Sequence, residues 1–224
     1  MSAIQTKENL IASLLKISKL PEPAIQADHN GIAFYKNITM IYGEAKLGKS
    51  FAIAEALKDT NTLFIDIDNN GDELHQYLLK NKIVPLHGFE AIPFINLLME
   101  YEGEDRFVIV IDSFANFADE LDCNINDTRD IIKLFKRIRK ITDKGHAVVL
   151  IHHVTTNGKS RDSDDYSAKI QGNAGAIFGQ IDVTYLLQAK GVLVQDRSRI
   201  SNATPKFIAE SASIIAKVQY VEVP

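Results

Sequence analysis

Six short apolar runs between residues 38 and 195 constrain the fold of this chain more than any other feature. Each run is apolar almost without interruption, whereas a strand with one solvent-facing side would alternate apolar and polar residues. Strands buried on both faces carry the continuous pattern, and they occur in parallel sheets covered by helices. The runs lie at 38–42, 63–67, 107–111, 147–151, 183–187 and 192–195. The sequence therefore predicts buried parallel strands at these positions.

Helical stretches separate the runs, and they are predicted at 50–58, 71–80, 94–101 and 128–142. The last stretch is the best defined, because its apolar residues form one stripe at helical spacing and Asp127 with Asp130 is typical of a capped start. The stripe consists of Ile131, Leu134, Phe135, Ile138 and Ile141. Alternation of strands and helices predicts an α/β fold with a mostly parallel central sheet flanked by helices.

The two ends of the chain fall outside this alternation. Apolar residues in 4–19 recur roughly at helical spacing, and two prolines and a glycine break the pattern over 21–31. We therefore expect a short N-terminal helix and linker in residues 1–30 and one globular domain in residues 31–224. Residues 206–223 are apolar and β-rich, which predicts closing antiparallel strands at the sheet edge.

Composition limits the classes of protein that remain. The 224 residues include a single cysteine, so no internal disulfide can form, which suits a cytoplasmic protein. No apolar run reaches the length of a membrane span, so we expect no membrane partner. The net charge of −4 argues against nucleic-acid binding through bulk charge. Binding of that kind would need a local patch or several copies lining a channel.

The segment GEAKLGKS, residues 43–50, joins the first apolar run to the first predicted helix. It fits the pattern G-x-x-x-x-G-K-[ST], whose glycines let backbone N–H groups turn toward phosphate oxygens. Lys49 is expected to reach the β- and γ-phosphates, and Ser50 to bind Mg²⁺. We therefore predict ATP and Mg²⁺ as ligands. The predicted nucleotide-binding residues are Gly43, Glu44, Ala45, Lys46, Leu47, Gly48, Lys49, Ser50 and Phe51.

Carboxylates end two other apolar runs. Asp112 closes FVIVID, where an aspartate can hold Mg²⁺ through its water shell, so we predict a metal role beside Ser50. FIDID offers Asp66 and Asp68, one of which could orient or deprotonate an attacking water, and we favour Asp68. Both sets of acids also have an ordinary interpretation as caps of the helices that follow.

Two later segments carry further candidates. The run at 147–151 ends in His152 and His153, and a long polar loop follows; such loops are usually functional. We predict that His153 contacts the γ-phosphate and reports its presence to the loop. Arg197 and Arg199 alternate along a strand, so their guanidinium groups could project together toward a transferring phosphoryl group. Solvated strand-end residues are the simpler interpretation of the arginine pair.

Taken in order, these motifs resemble the RecA-like ATPases over residues 30–210. Within them the chain looks most like the replicative hexameric helicases of the DnaB and plasmid RepA types. The resemblance implies a RecA-like ATPase domain, a homo-oligomer with a hexamer favoured, and single-stranded DNA as partner. It places the family's nucleic-acid-binding loop on residues 155–175.

The resemblance also assigns roles to single residues. The family's phosphate loop falls on residues 43–50 and its magnesium aspartate on Asp112. The catalytic glutamate falls on Asp68, which is one methylene shorter, and the switch residue on His153. The Lys-x-Arg finger, which acts across a subunit interface, falls on Arg197 and Arg199, with arginine in place of lysine. The implied catalytic set is Lys49, Asp68, Asp112, His153, Arg197 and Arg199.

Several activities remain open at the level of sequence. A RecA-like recombination or annealing ATPase would carry the same motifs as a helicase. An ATP-gated assembly module without motor activity is favoured by the acidic net charge and by aspartate at position 68. A small-molecule kinase would need a mobile lid with arginines between the core strands, and the positions of Arg197, Arg199 and the histidines fit this poorly.

Overall fold

The computed structural model describes residues 28–29, 31–58, 60–68, 72–87, 91–154, 170–188 and 192–198. The predicted N-terminal helix in residues 1–20, the polar loop at 155–169, Arg199 and the predicted closing strands at 206–223 lie outside these residues.

A seven-stranded sheet forms the centre of the described chain. Two short strands, β1 (Asp28–His29) and β2 (Ala33–Phe34), pair antiparallel before it. The strands of the central sheet are β3 (Ile38–Gly43), β4 (Thr62–Asp66), β5 (Val84–His87), β6 (Val108–Asp112), β7 (Ala147–His153), β8 (Val183–Gln188) and β9 (Val192–Ser198). Their order is β5-β4-β6-β7-β3-β8-β9. All neighbours are parallel except β8 and β9, which are antiparallel.

Helices cover both faces of this sheet. They are α1 (Lys49–Ala56), α2 (Asp72–Lys80), α3 (Ala91–Glu100), α4 (Phe114–Glu120), α5 (Thr128–Asp143) and α6 (Ala174–Phe178). One apolar core contains residues of α3, α4, α5 and α6, and a second contains residues of α1 and α2. Among the described residues, every helix is too short or too polar to cross a lipid bilayer.

Burial on both faces explains why the strands are continuously apolar. In β6, Ile109 and Ile111 belong to one core, while Val108 and Val110 belong to the other. All four side chains are fully buried, because successive residues of a strand point to opposite faces. The predicted fold class, α/β with a mostly parallel central sheet flanked by helices, is confirmed.

Several details differ from the prediction. The run at 192–195 was expected to be parallel and is antiparallel, since only three residues, 189–191, separate β9 from β8 and a parallel crossover needs many more. Helix α3 begins three residues before the predicted 94–101. Strand β5, helix α4 and the short β1–β2 pair have no counterpart in the prediction. The predicted capped start of α5 is confirmed: Asp127 accepts from the N–H groups of Arg129 and Asp130.

His146 is buried directly before β7, at the opposite edge of the sheet from His152 and His153. Its Nδ1 atom accepts the N–H of Phe107 at 3.2 Å, and its ring stacks on the Phe107 ring at 5.2 Å. Burial lowers the pKa of His146 to about 4. The native state therefore holds this imidazole neutral at pH values where an unfolded histidine is protonated.

Acid is expected to destabilise the fold through His146. Because its pKa is about 4 when folded and about 6.5 when unfolded, the unfolded state binds the extra proton as the pH falls from 6.5 to 4, which costs up to about 3 kcal/mol. His146→Asn keeps an acceptor for Phe107 but does not titrate. Urea unfolding at stepped pH should show a shallower fall in unfolding free energy for the variant, and equal slopes would contradict this account.

Candidate active site

Four neighbouring strands, β4, β6, β7 and β3, end at the same edge of the sheet, and predicted site residues lie at their ends. Strand β7 lies between β3 and β6, so His153 pairs with Gly43 on one side and Ile151 pairs with Asp112 on the other. Strand β4 borders β6, where Asp66 pairs with Asp112. The phosphate loop therefore lies one strand from the histidine and two strands from the magnesium aspartate predicted by sequence.

The loop between β3 and α1 turns through two residues in the left-handed region. Lys46 has φ 65° and Gly48 has φ 75°. Gly48 is the N-cap of α1, and as a glycine it adopts this conformation without the steric cost that a Cβ imposes. The helix thus begins with its positive end beside the loop, an arrangement suited to binding an anion such as phosphate.

Lys49 is buried within this loop, with 4% of its surface exposed. Its Nζ atom donates to the carbonyl oxygens of Gly43 at 3.1 Å and Glu44 at 2.7 Å. Burial lowers the pKa of Lys49 to about 8, although Asp112, Asp68 and Glu44 oppose the shift. The ammonium group is therefore held at the centre of the loop by carbonyl oxygens, which phosphate oxygens can replace.

Ser50 and Asp112 meet beside the lysine. The Ser50 hydroxyl donates to Oδ2 of Asp112 at 2.5 Å, and Asp112 is almost completely buried. Burial raises the pKa of Asp112 to about 6, against the hydrogen bond from Ser50. Mg²⁺ prefers oxygen ligands, and a hydroxyl and a carboxylate already converge here. The two residues thus fit the predicted ion.

Asp68 faces the same cleft and is held at both carboxylate oxygens. Its Oδ1 atom accepts from the Ser113 hydroxyl at 2.7 Å and from the Asn116 amide at 2.6 Å. Its Oδ2 atom accepts from Nε2 of His153 at 3.2 Å. The pKa of Asp68 lies below its usual range, chiefly because of the bond from His153 and despite partial burial. One side-chain ligand atom from each of Asp68, Asp112 and His153 lies within 4.8 Å of the other two.

Asp66 turns to a different partner. It is fully buried at the end of β4, and its Oδ2 atom lies 3.0 Å from Nε2 of His75 in α2. Of the two acids in FIDID, the structure therefore brings Asp68 to the cleft and pairs Asp66 with the helix that follows.

The two histidines at the end of β7 have different surroundings. His153 contacts Asp68, whereas His152 is fully buried and its Nε2 atom donates to the carbonyl oxygen of Gln171 at 2.8 Å. Burial lowers the pKa of His152 to about 4, so the ring is neutral. The Gln171 N–H in turn donates to the His153 carbonyl at 3.1 Å, and Val154 pairs with Ile170. The two described ends of the loop at 155–169 are thus joined beside His153.

A cleft of about 280 Å³ unites these groups. Its lining residues are Lys46, Gly48, Lys49, Ser50, Phe51, Asp68, Asp112 and His153. Of the other predicted nucleotide-binding residues, Gly43 and Glu44 bind Lys49 through their carbonyls, while Ala45 and Leu47 complete the loop without lining the cleft. The convergence provides a cradle for phosphate, oxygen ligands for a cation and a carboxylate beside them.

Of the two arginine candidates, the structure describes only the backbone of Arg197, and that backbone lies away from the cleft. Strand β9 runs antiparallel to β8, so Arg197 pairs with Thr184 near the start of β8, whereas Gly43 pairs with Leu187 near its end. Three residues along a strand span about 10 Å, so the Arg197 backbone is that far from the phosphate loop along the sheet and two strands across. Its side chain and all of Arg199 lie outside the described structure.

Sequence reasoning missed the two residues that hold Oδ1 of Asp68. Ser113 directly follows Asp112 in the segment DSFAN and caps α4, and Asn116 lies three residues further on, in the first turn. This spacing could have predicted that both side chains face the same neighbour, because residues three apart in a helix lie on one side of it.

Comparisons with known proteins give little beyond this geometry. No protein-family model matches the chain, and no curated protein matches it. Among solved structures, the chain is similar to an ATPase from the type III secretion system of pathogenic bacteria, with a TM-score of 0.47 and 13% sequence identity. The match covers 82% of this chain and 64% of that chain, so this chain spans less than two thirds of its length.

Proposed function

We propose that residues 31–224 form a RecA-like ATPase domain that hydrolyses ATP with Mg²⁺ in a homo-oligomer and acts on single-stranded DNA. The observation that carries the ATPase assignment is the meeting of Lys49, Ser50, Asp112 and Asp68 in one cleft. Each residue type there suits one part of a phosphoryl transfer from nucleotide to water.

The residues divide the work as follows. Lys49 exchanges its carbonyl partners for oxygens of the triphosphate and neutralises their charge. Ser50 and Asp112 would hold Mg²⁺, which supplies positive charge to the β- and γ-phosphate oxygens when bound. Asp68 orients the attacking water and accepts its proton. His153, which contacts Asp68, is placed to respond to the γ-phosphate.

An oligomer accounts for the position of Arg197. Strand β9 runs antiparallel to β8, so its last residues lie at the sheet edge opposite to the chain's own phosphate loop. A finger formed by Arg197 and Arg199 would therefore act on the site of a neighbouring subunit. A hexamer is the assembly that the resemblance implies. The same remoteness disfavours a self-contained small-molecule kinase.

The DNA assignment rests on the resemblance and on the loop at 155–169. Gln171, close after that loop, bonds to the His152 ring and to the His153 carbonyl, and Val154 pairs with Ile170. A change at His153 would therefore reach the described residues on both sides of the loop. Replicative helicase activity is the finer form of the proposal. A recombination or annealing ATPase, or an assembly module, would use the same site.

The test is the ATPase rate with and without single-stranded DNA, measured beside assembly size. We expect a several-fold rise in the rate with single-stranded DNA and a smaller rise with duplex, both absent in Lys49→Ala. Mass photometry with ATP should show an oligomer of one defined mass. A rate that no DNA changes would contradict the DNA partner. Hydrolysis without displacement of a tailed duplex would favour the annealing or assembly alternatives.

A further inference from the structure

We propose that Asn116 and Ser113 are positioning residues that hold Oδ1 of Asp68, so that Oδ2 is the atom presented to the attacking water. The inference rests on the proposed function and adds to it two residues that belong to neither the phosphate loop nor the metal site. It is carried by the three hydrogen bonds to Asp68 and by their division between the two oxygens.

Asp68 needs an external anchor because it lies beyond the end of β4. Its main chain is fixed to β6, since the N–H groups of Ile67 and Asp68 donate to the Asp112 carbonyl at 2.6 and 3.2 Å. The side chain has two rotatable bonds of its own and would otherwise sample several rotamers. Two donors on one oxygen select a single orientation of the carboxylate.

Both donors come from one rigid segment. Ser113 is the N-cap of α4 and Asn116 lies in its first turn, while Phe114 and Phe117 of the same helix are fully buried. Asp112 directly precedes Ser113. The segment that supplies the magnesium ligand thus also sets the angle of the water-activating carboxylate, so the two acids keep a fixed relation to each other.

The two oxygens of Asp68 have different kinds of partner. Ser113 and Asn116 hold Oδ1 permanently, whereas His153 on Oδ2 is a partner that can be exchanged. Both side-chain donors of the α4 segment bind Oδ1, whereas the side-chain donor on Oδ2 is His153, and the Ser113 backbone N–H adds a further bond to the carboxylate. Oδ2 is the oxygen in contact with His153, which lines the cleft. The Oδ1 bonds need not break for water to approach, and they offset part of the repulsion between Asp68 and Asp112.

Asn116 allows a clean test because it is exposed, in contrast to the buried Ser113. Truncating it leaves no cavity in the core, so a purely structural contribution would be small. A carboxylate that is slightly misplaced can lose an order of magnitude or more in rate. A loss of hydrolysis without a loss of stability or nucleotide affinity is the signature of positioning.

The experiment compares wild type, Asn116→Ala and Glu120→Ala, an exposed change on the same helix. We expect kcat for ATP to fall about tenfold in Asn116→Ala, with KM within twofold and Tm unchanged, and no effect in Glu120→Ala. Ser113→Thr, which keeps a hydroxyl, should retain more activity than Ser113→Ala. An unchanged kcat in Asn116→Ala overturns the inference.

A second arm asks whether Asn116 acts through Asp68. In the Asp68→Ala background, Asn116→Ala should cause no further loss of single-turnover hydrolysis with enzyme in excess. In nucleotide-free protein, the Asn116 side-chain amide resonance should move on Asp68→Ala, which removes the acceptor of its hydrogen bond. A second tenfold loss, or an unmoved resonance, overturns the positioning role. If the wild-type protein shows no ATP hydrolysis that depends on Lys49, the proposed function itself is overturned. If the wild-type protein hydrolyses ATP and Asn116→Ala hydrolyses it equally well, only this inference is overturned.

Discussion

Replacing Lys49 with alanine is expected to lower the rate of ATP hydrolysis by about 10²–10³-fold, the usual loss when one preorganised donor to developing charge is removed. Lys49 is the one lysine that the structure, within its described part, buries inside the phosphate loop. Its positive charge interacts with the carboxylates of Asp112 and Asp68. Without the ammonium, triphosphate would enter a cleft dominated by carboxylates, so nucleotide affinity should fall as well.

The measurement is steady-state ATPase activity together with binding of a fluorescent ATP analogue. Lys80→Ala provides a control, because Lys80 is an exposed lysine at the end of α2, away from the cleft. We expect wild-type kinetics from Lys80→Ala and an unchanged Tm in both variants within a few degrees. Normal hydrolysis by Lys49→Ala would contradict the assignment of the phosphate loop.

Mixing experiments extend this prediction to the oligomer. If the arginines act across an interface, Lys49→Ala subunits can still offer Arg199 to neighbours, and Arg199→Ala subunits can still offer Lys49. A mixture of the two inactive proteins should then recover part of the wild-type rate, reaching a maximum near equal proportions. No recovery in mixtures shown to contain both subunits would place the arginines outside the site.

The sequence predicted the parts of this site that depend on local pattern. The phosphate loop is one continuous segment, and Asp112 and His153 close strands that are apolar because helices cover both faces of the sheet. Carboxyl ends of parallel strands share an edge, so their proximity followed from the fold class. The turn residues and the capped start of α5 are local signals of the same kind.

The parts that were missed depend on contacts between distant segments. Asp66 and Asp68 share a strand end, and only the positions of α2 and α4 decide that one meets His75 and the other meets Ser113 and Asn116. Strand β5 has only four residues, and one of them is Pro85, so its sequence does not indicate a strand. It lies at the edge of the sheet and is recognised by its pairing with β4. The direction of β9 is set by the short connection from β8 and not by its apolar content.

Gly43→Ala should destabilise the fold itself, because this glycine is where the phosphate loop and the sheet meet. A Cβ at Gly43 would lie 2.5 Å from the carbonyl oxygen of Leu187, which belongs to the neighbouring strand β8. Both partners are backbone in the middle of a sheet, so neither can move without disturbing its pairing. We expect a loss of about 3 kcal/mol, the upper part of the range for overpacking, and a Tm lower by roughly 6–12 °C.

Gly175→Ala is the matched comparison for stability. Gly175 lies within α6, and the nearest atom to its added Cβ, Oδ1 of Asn173, is at 3.7 Å, an ordinary contact. Alanine is favoured over glycine in a helix by up to about 1 kcal/mol, so Tm should stay constant or rise slightly. Differential scanning calorimetry of the two variants separates the close approach at Gly43 from the general effect of a methyl group. Equal melting temperatures would mean that β3 and β8 are further apart at the phosphate loop than the structure places them.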